Sequence, residues 1–288
     1  MMDLARTLGA TRELRLPQGT LRYHDRGAGP TLVFVHGLLA NSVLWRDVIA
    51  ELASRFRCVA LDLPLGGHTL PMPDADLTPP GMARLVADAL AALDLEDVTL
   101  VGNDTGGAIC QILIAERPER IGRLVLTNCD AFEQFFPPLV QPFHTLSARF
   151  GEGFTTLMAR VLRFRSAQRR FMASVAKRRF DDETLDAYFG AFLSDPLVRR
   201  DAARFMASVS NRYTLAAARS FGEFERPVHL VWGENDLFFS ARLAKRLQAA
   251  FPHATLHWAP ESRAFVPEDR PRLLARTIVE FAHAGVHA

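Results

Sequence analysis

Three aspartates and several histidines in this chain occupy positions where chemistry could use them. The most informative is Asp104, at the centre of Gly102-Asn103-Asp104-Thr105-Gly106 and preceded by the apolar run Val98-Thr99-Leu100-Val101. The pattern reads as strand, tight turn and helix. Glycines two before and two after Asp104 let the backbone fold sharply and lift the side chain over a sheet. The helix that follows offers backbone N–H groups and the positive end of its dipole, which favour an anion there. Asp104 is therefore a candidate nucleophile or base. A plain Gly-rich strand-to-helix turn would be built from the same residue types, so other segments must decide.

Such a side chain needs a scaffold, and the rest of the sequence supplies one. Short apolar runs alternate with helix-patterned stretches, the signature of parallel strands joined by helical crossovers. Strands are expected at Glu13 to Leu16, Thr20 to His24, Leu32 to Val35, Cys58 to Leu61, Val98 to Val101, Leu124 to Thr127, Val228 to Trp232 and Thr255 to Trp258. The first two flank Pro17-Gln18-Gly19 and read as an antiparallel hairpin at the sheet edge. Helices are expected at Val43 to Ser54, Pro80 to Leu93, Gly106 to Glu116, Ala241 to Ala250 and Pro271 to Phe281. Residues 131–220 break the alternation with helix-patterned sequence and read as an inserted cap. The core is then 1–130 with 221–288.

Three further segments join the elbow in a fixed order. These are Leu32-Val33-Phe34-Val35-His36-Gly37-Leu38, Asp62-Leu63-Pro64-Leu65-Gly66-Gly67-His68 and Trp232-Gly233-Glu234-Asn235-Asp236. Together the four resemble the α/β-hydrolase superfamily over about residues 14 to 283. The resemblance implies an α/β-hydrolase fold, a mostly parallel eight-stranded sheet with a helical cap. It also implies an oxyanion hole from the backbone N–H groups of Leu38 and Thr105. Aspartate at the elbow resembles the haloalkane dehalogenase and epoxide hydrolase branch. There the carboxylate attacks an electrophilic carbon and a histidine activates water against the resulting ester. By that likeness Asp104 is the nucleophile and Asp236 the acid orienting the histidine. Asp130, in Thr127-Asn128-Cys129-Asp130, is the other position for that acid, or else a loop cap.

The histidine itself is missing. Where the branch places it, Pro260-Glu261-Ser262-Arg263-Ala264-Phe265 presents Ala264, which cannot move a proton. A shift of one residue gives Arg263, a poor base because its guanidinium stays protonated. His68, on a loop at the carboxyl end of the sheet, is the leading substitute. His36 is expected to organise the oxyanion loop, and His144, early in the cap, is a candidate to face the cleft. Tyr188 and Tyr213 fall in the cap, where epoxide hydrolases place proton-donating tyrosines, although Tyr188 lies in an aromatic helical stretch of the kind that packs a core. Thr105 and Leu38 stand where dehalogenases hold halide with other side chains, which weighs against dehalogenation.

Composition bounds the rest. The chain has 288 residues, 49% hydrophobic and 23% charged, with 34 basic against 32 acidic side chains. No basic excess or reader motif points to nucleic acid, and no apolar run is long enough to span a membrane. Met1 to Arg15 has charges throughout and lacks the apolar run of a secretory signal, so a cytoplasmic location is expected. Cys58, Cys110 and Cys129 lack metal-type spacing and are expected as buried thiols. The basic run from Arg149 to Arg179, interleaved with phenylalanines, reads as a solvated helix face or as steering for an anionic substrate. The expectation is thus a cofactor-independent, metal-free hydrolase of a small apolar epoxide, halide or ester. Its alternatives are acid-base chemistry at Asp104 or a binding protein. Its partner is a small-molecule substrate, with no nucleic acid or membrane, and it is a monomer or homodimer.

Overall fold

A computed structural model describes residues 7–284. Strands β1 (Ala10–Leu16) and β2 (Gly19–Arg26) form the expected hairpin, pairing Leu16 with Gly19 across the turn. Then come β3 (Thr31–Val35), a short 3₁₀ turn at Ser42–Trp45, α1 (Arg46–Leu52), β4 (Arg57–Leu61), α2 (Pro79–Ala92), β5 (Val98–Asp104), α3 (Thr105–Glu116) and β6 (Ile121–Cys129). After the inserted segment follow β7 (Val228–Gly233), the helix Ala241–Ala250, β8 (Ala254–Ala259) and the helices Val266–Asp269 and Pro271–Ala284. The expected helix at Val43 to Ser54 is split into α1 and the preceding 3₁₀ turn, which Asn41 caps by accepting from the Val43 amide.

The eight strands line up as β1-β2-β4-β3-β5-β6-β7-β8. All pairings from β4 onward are parallel, and the β1 and β2 pairings are antiparallel. Strand order reverses direction between β3 and β5, and such a switch point opens a crevice beyond the carboxyl ends of the strands. Asp104 sits at the carboxyl end of β5 beside that crevice. The central strands are buried on both faces, which is why they read as unbroken apolar runs rather than alternating ones. Phe34 and Trp45 meet with ring centroids 5.1 Å apart in the core between β3 and the 3₁₀ turn. The three cysteines are buried free thiols, and burial pushes Cys58 up to about 12.

The insertion supplies α4 (Gln141–Phe150), α5 (Glu152–Leu162), α6 (Arg165–Val175), α7 (Asp182–Ser194), α8 (Pro196–Ser208) and α9 (Asn211–Ala218). Its last helix, α9, packs on α3, and Thr214 Oγ1 donates 2.6 Å to the Phe132 carbonyl near the start of the same segment. The cap is fastened to the core by a buried knot around Glu268. Its carboxylate accepts from Arg46 (2.8 Å from one guanidinium nitrogen, with a second contact from the other), from Arg178 at 3.1 Å and from the Tyr188 hydroxyl at 2.5 Å. No described helix is long and apolar enough to cross a membrane. No group of three metal-ligating side chains stands together among the described residues.

Candidate active site

Asp104 joins β5 to α3 with φ +55° and ψ −131°, a conformation that costs a non-glycine residue about 1–3 kcal/mol. Its neighbours explain why the turn is glycine-rich. A Cβ on Gly106 would lie 2.3 Å from the Val35 carbonyl oxygen, and one on Gly37 would lie 2.1 Å from Oδ2 of Asp104. The missing side chain at Gly37 brings the backbone of the loop after β3 against the carboxylate. The Leu38 amide donates to Oδ2 at 3.0 Å, and the Thr105 amide at the start of α3 is a second donor. The two N–H groups expected to serve an oxyanion thus already converge on Asp104.

Two more carboxyls lie close behind. Asp130, just past β6, is wholly buried and accepts from Thr105 Oγ1 at 3.3 Å. Its Oδ1 has no hydrogen-bond partner, which suits a neutral carboxyl better than a charged one. Asp236, after β7, accepts from Asn128 Nδ2 at 2.6 Å and from the Phe238 amide at 2.9 Å. Burial raises all three. It pushes Asp104 up to about 7 against the pull of the Thr105 and Leu38 amides, with Asp236 adding repulsion. Asp236 rises to about 6, held down by its own donors, and Asp130 goes well above the carboxylate range through burial and the charge of Asp104. Near neutral pH the cluster therefore holds protons that free carboxyls would release.

The carboxyl of Asp104 opens into a cavity of about 210 Å³. Leu38, Thr105 and Ala264 line it together with six phenylalanines, among them Phe136, Phe143 and Phe171 from the inserted segment, and with aliphatic side chains. Beside Asp104 and Thr105, Ser174 from the end of α6 adds a polar group to the largely apolar lining. Among the described residues, no imidazole lines this cavity. Ala264 stands in it where the resemblance places the histidine, and Arg263 turns away to donate to the Ala173 carbonyl of the cap.

The candidate substitutes are engaged elsewhere. His36 Nε2 accepts from the Leu63 amide at 2.9 Å, which leaves Nδ1 to donate to the Gly37 carbonyl, also 2.9 Å away. Both ring nitrogens are spent on shaping the loop, and burial pushes its basicity down. His68 is completely buried, with Nδ1 accepting from the Gly66 amide and Nε2 3.3 Å from Asp201 of α8, so it fastens its loop to the cap. His144 bonds the Met206 carbonyl at 3.1 Å, Tyr188 is locked on Glu268, and Tyr213 is bonded by Arg212. None of these five lines the cavity: His36 organises the loop as expected, and His68, His144, Tyr188 and Tyr213 are bonded away from Asp104.

Other residues matter that sequence reading passed over. Asn128 bridges β6 and β7 by donating to Asp236 and accepting from the Gly233 amide at 2.6 Å. Its signal was an amide at the end of an apolar strand, beside the candidate Asp130. Asn103 does the same for the Ala264 segment, donating to the Ala264 carbonyl at 2.8 Å.

Residues 30–271 match the alpha/beta hydrolase fold family. The chain belongs to that family. Within the alpha/beta hydrolase fold family it is similar to an uncharacterized hydrolase, YugF, of Bacillus subtilis, 27% identical over 90% of this chain and 93% of that protein. It is 28% identical to haloalkane dehalogenase 2 of Mycobacterium tuberculosis, over 91% of each chain. The solved structure of the epoxide hydrolase CorEH superposes with a TM-score of 0.80 at 21% identity, covering 94% of this chain and 98% of that one, a likeness of fold.

Proposed function

We propose that this alpha/beta hydrolase fold protein is an enzyme that binds a small apolar molecule and moves a proton with Asp104. One observation carries the proposal: the cavity that holds Asp104 is lined by Ala264 and, among the described residues, by no imidazole. A carboxyl near 7 takes and returns a proton at neutral pH, and proton transfer by a well-placed group is worth about 10²–10⁴ in rate. The substrate's acidic C–H or O–H passes its proton to Asp104, and the same proton returns to another atom in an elimination, decarboxylation or rearrangement. The Leu38 and Thr105 amides hold the carboxylate in position throughout, and the apolar walls exclude water.

A second reading keeps Asp104 as nucleophile. The converging amides favour it, since they would polarise the carbonyl of an ester formed on Asp104, as do the hydrolase and dehalogenase relatives. Asp104 would form a bond to the electrophilic carbon while the leaving group departs with its electron pair. Water would then add to the ester carbonyl, giving its proton to Asp236. Collapse of the adduct would break the ester C–O bond, regenerate the Asp104 carboxylate and release the alcohol, which takes up the proton from Asp236. Turnover in ¹⁸O-labelled water separates the two. Product free of solvent oxygen, with no mass added to the Asp104 peptide, supports proton transfer. Label in the product or on Asp104 supports the covalent route. Full activity in Asp104→Asn would remove both.

A further inference from the structure

The outward side of the cap is unusual for a protein surface. Phe150, Leu157, Val161 and Phe164, all in the segment 150–164, are each more than half exposed. On α5 the most deeply buried side chains are Thr155, Ala159 and Leu162, while Phe154, Leu157, Met158 and Val161, with part of Leu162, line an apolar groove. A helix apolar on both faces has a second layer to meet. Arg170 lines the groove, and Arg149, Arg160 and Arg163 neighbour its apolar residues in sequence; all four are exposed and without an ion pair among the described residues. Nearby Arg165 and Arg169 are instead paired with Asp182 and Asp186. Glu152 is the opposing acid on this segment.

We infer that this face of the cap docks on an anionic lipid surface, with the phenylalanines and aliphatic side chains seated among the acyl chains and the arginines on the lipid phosphates. A second copy of the chain fits worse, because a two-fold contact through this patch would set unpaired arginines against one another. A helix with an apolar stripe and basic flanks lies in the headgroup region at a depth of about 5–10 Å. The placement also connects to the cavity. Phe143 and Phe171 line both the groove and the Asp104 cavity, and the exposed Leu139 lies on the cavity rim. An apolar substrate dissolved in lipid would thus reach the cavity from the docked face without crossing bulk water. The docking stands apart from which chemistry Asp104 performs, and it departs from the expectation of no membrane partner.

Sedimentation of the full chain with vesicles of phosphatidylcholine, alone or mixed with phosphatidylglycerol, tests it. The protein should partition on the mixed vesicles and lose that partition as salt rises. Arg160→Gln and Arg163→Gln should each weaken it about fivefold. Leu157→Ser with Phe164→Ser should weaken it about tenfold or more on both kinds of vesicle. All four residues are exposed, so thermal melting should stay near that of the parent, and the arginine variants keep the test valid if the serine pair melts early. No partition on anionic vesicles, or partition untouched by both sets, would overturn the inference. So would a concentration-dependent dimer that the serine pair abolishes while vesicles bind nothing.

Discussion

The side-chain amide of Asn103 donates at 2.8 Å to the carbonyl of Ala264, so the residue before the elbow aspartate fixes the segment that lines the cavity beside it. The same amide donates to Thr127 Oγ1 at 2.7 Å, drawing the ends of β5 and β6 into one buried knot. Because the tether at Ala264 runs through its backbone, the side chain there can be changed without cutting it.

Ala264→His would place an imidazole against the cavity near Asp104. If the covalent route operates even slowly, this variant should incorporate solvent oxygen into product faster than the parent, with a new pH limb near the ordinary histidine range of about 6.5. Overpacking a buried alanine should lower stability by about 1–3 kcal/mol. Mass analysis of product formed in ¹⁸O water reads the outcome, and unchanged labelling would count against an ester at Asp104.

Asp104→Asn should stabilise the fold at alkaline pH. The folded state holds Asp104 up to about 7, above its unfolded value of about 3.9, so the native chain binds the extra proton. The favourable contribution of that proton is complete below about pH 4 and is lost as pH rises through about 7. The asparagine variant escapes this loss. Urea unfolding should show it more stable than the parent by on the order of 2 kcal/mol at pH 8, with the gap closing at pH 4. A gap that widens on acidification would reverse the assignment.

Asn128→Ala removes the 2.6 Å hydrogen bond that lowers Asp236 from where burial alone would put it. The Asp236 carboxyl should therefore titrate above its present value of about 6. Carbon-detected NMR of the aspartate carboxyls would follow the shift directly. An unmoved midpoint would mean that the Phe238 amide and its neighbours suffice to hold the charge.

Glu268→Gln should be strongly destabilising. It leaves Arg46, almost fully buried, with only the more distant Asp47 at 3.8 Å as counter-charge and weakens the anchor for Arg178 and Tyr188 of the cap. Breaking such a pair costs about 3–5 kcal/mol. Joint replacement of Arg46 and Glu268 by apolar residues should recover a large part of that loss in equilibrium unfolding. Failure to recover would show that the knot acts through cap geometry rather than through charge.

What the sequence determined by itself is local. Strands buried on both faces must be apolar throughout, so β3, β4, β5 and β7 were legible within a residue or three of their ends. The elbow was legible because only small residues fit where a Cβ would strike backbone at 2.3 Å, a constraint visible in spacing alone. The absence of a histidine at 264 was equally plain. Tertiary structure decided everything that depends on where a side chain points after the chain has crossed itself. His68 meets Asp201 and Tyr188 meets Glu268 across separations that no local pattern encodes, and both are thereby withdrawn from the cavity. The outer face of α5 is of the same kind: only the completed cap shows that Leu157 and Val161 are left more than half exposed beside an apolar groove. Short-range sterics restrict each residue independently. Burial and charge, by contrast, are sums over neighbours brought together by the fold, which is why Asp104 could be located from its glycines but its proton affinity could not.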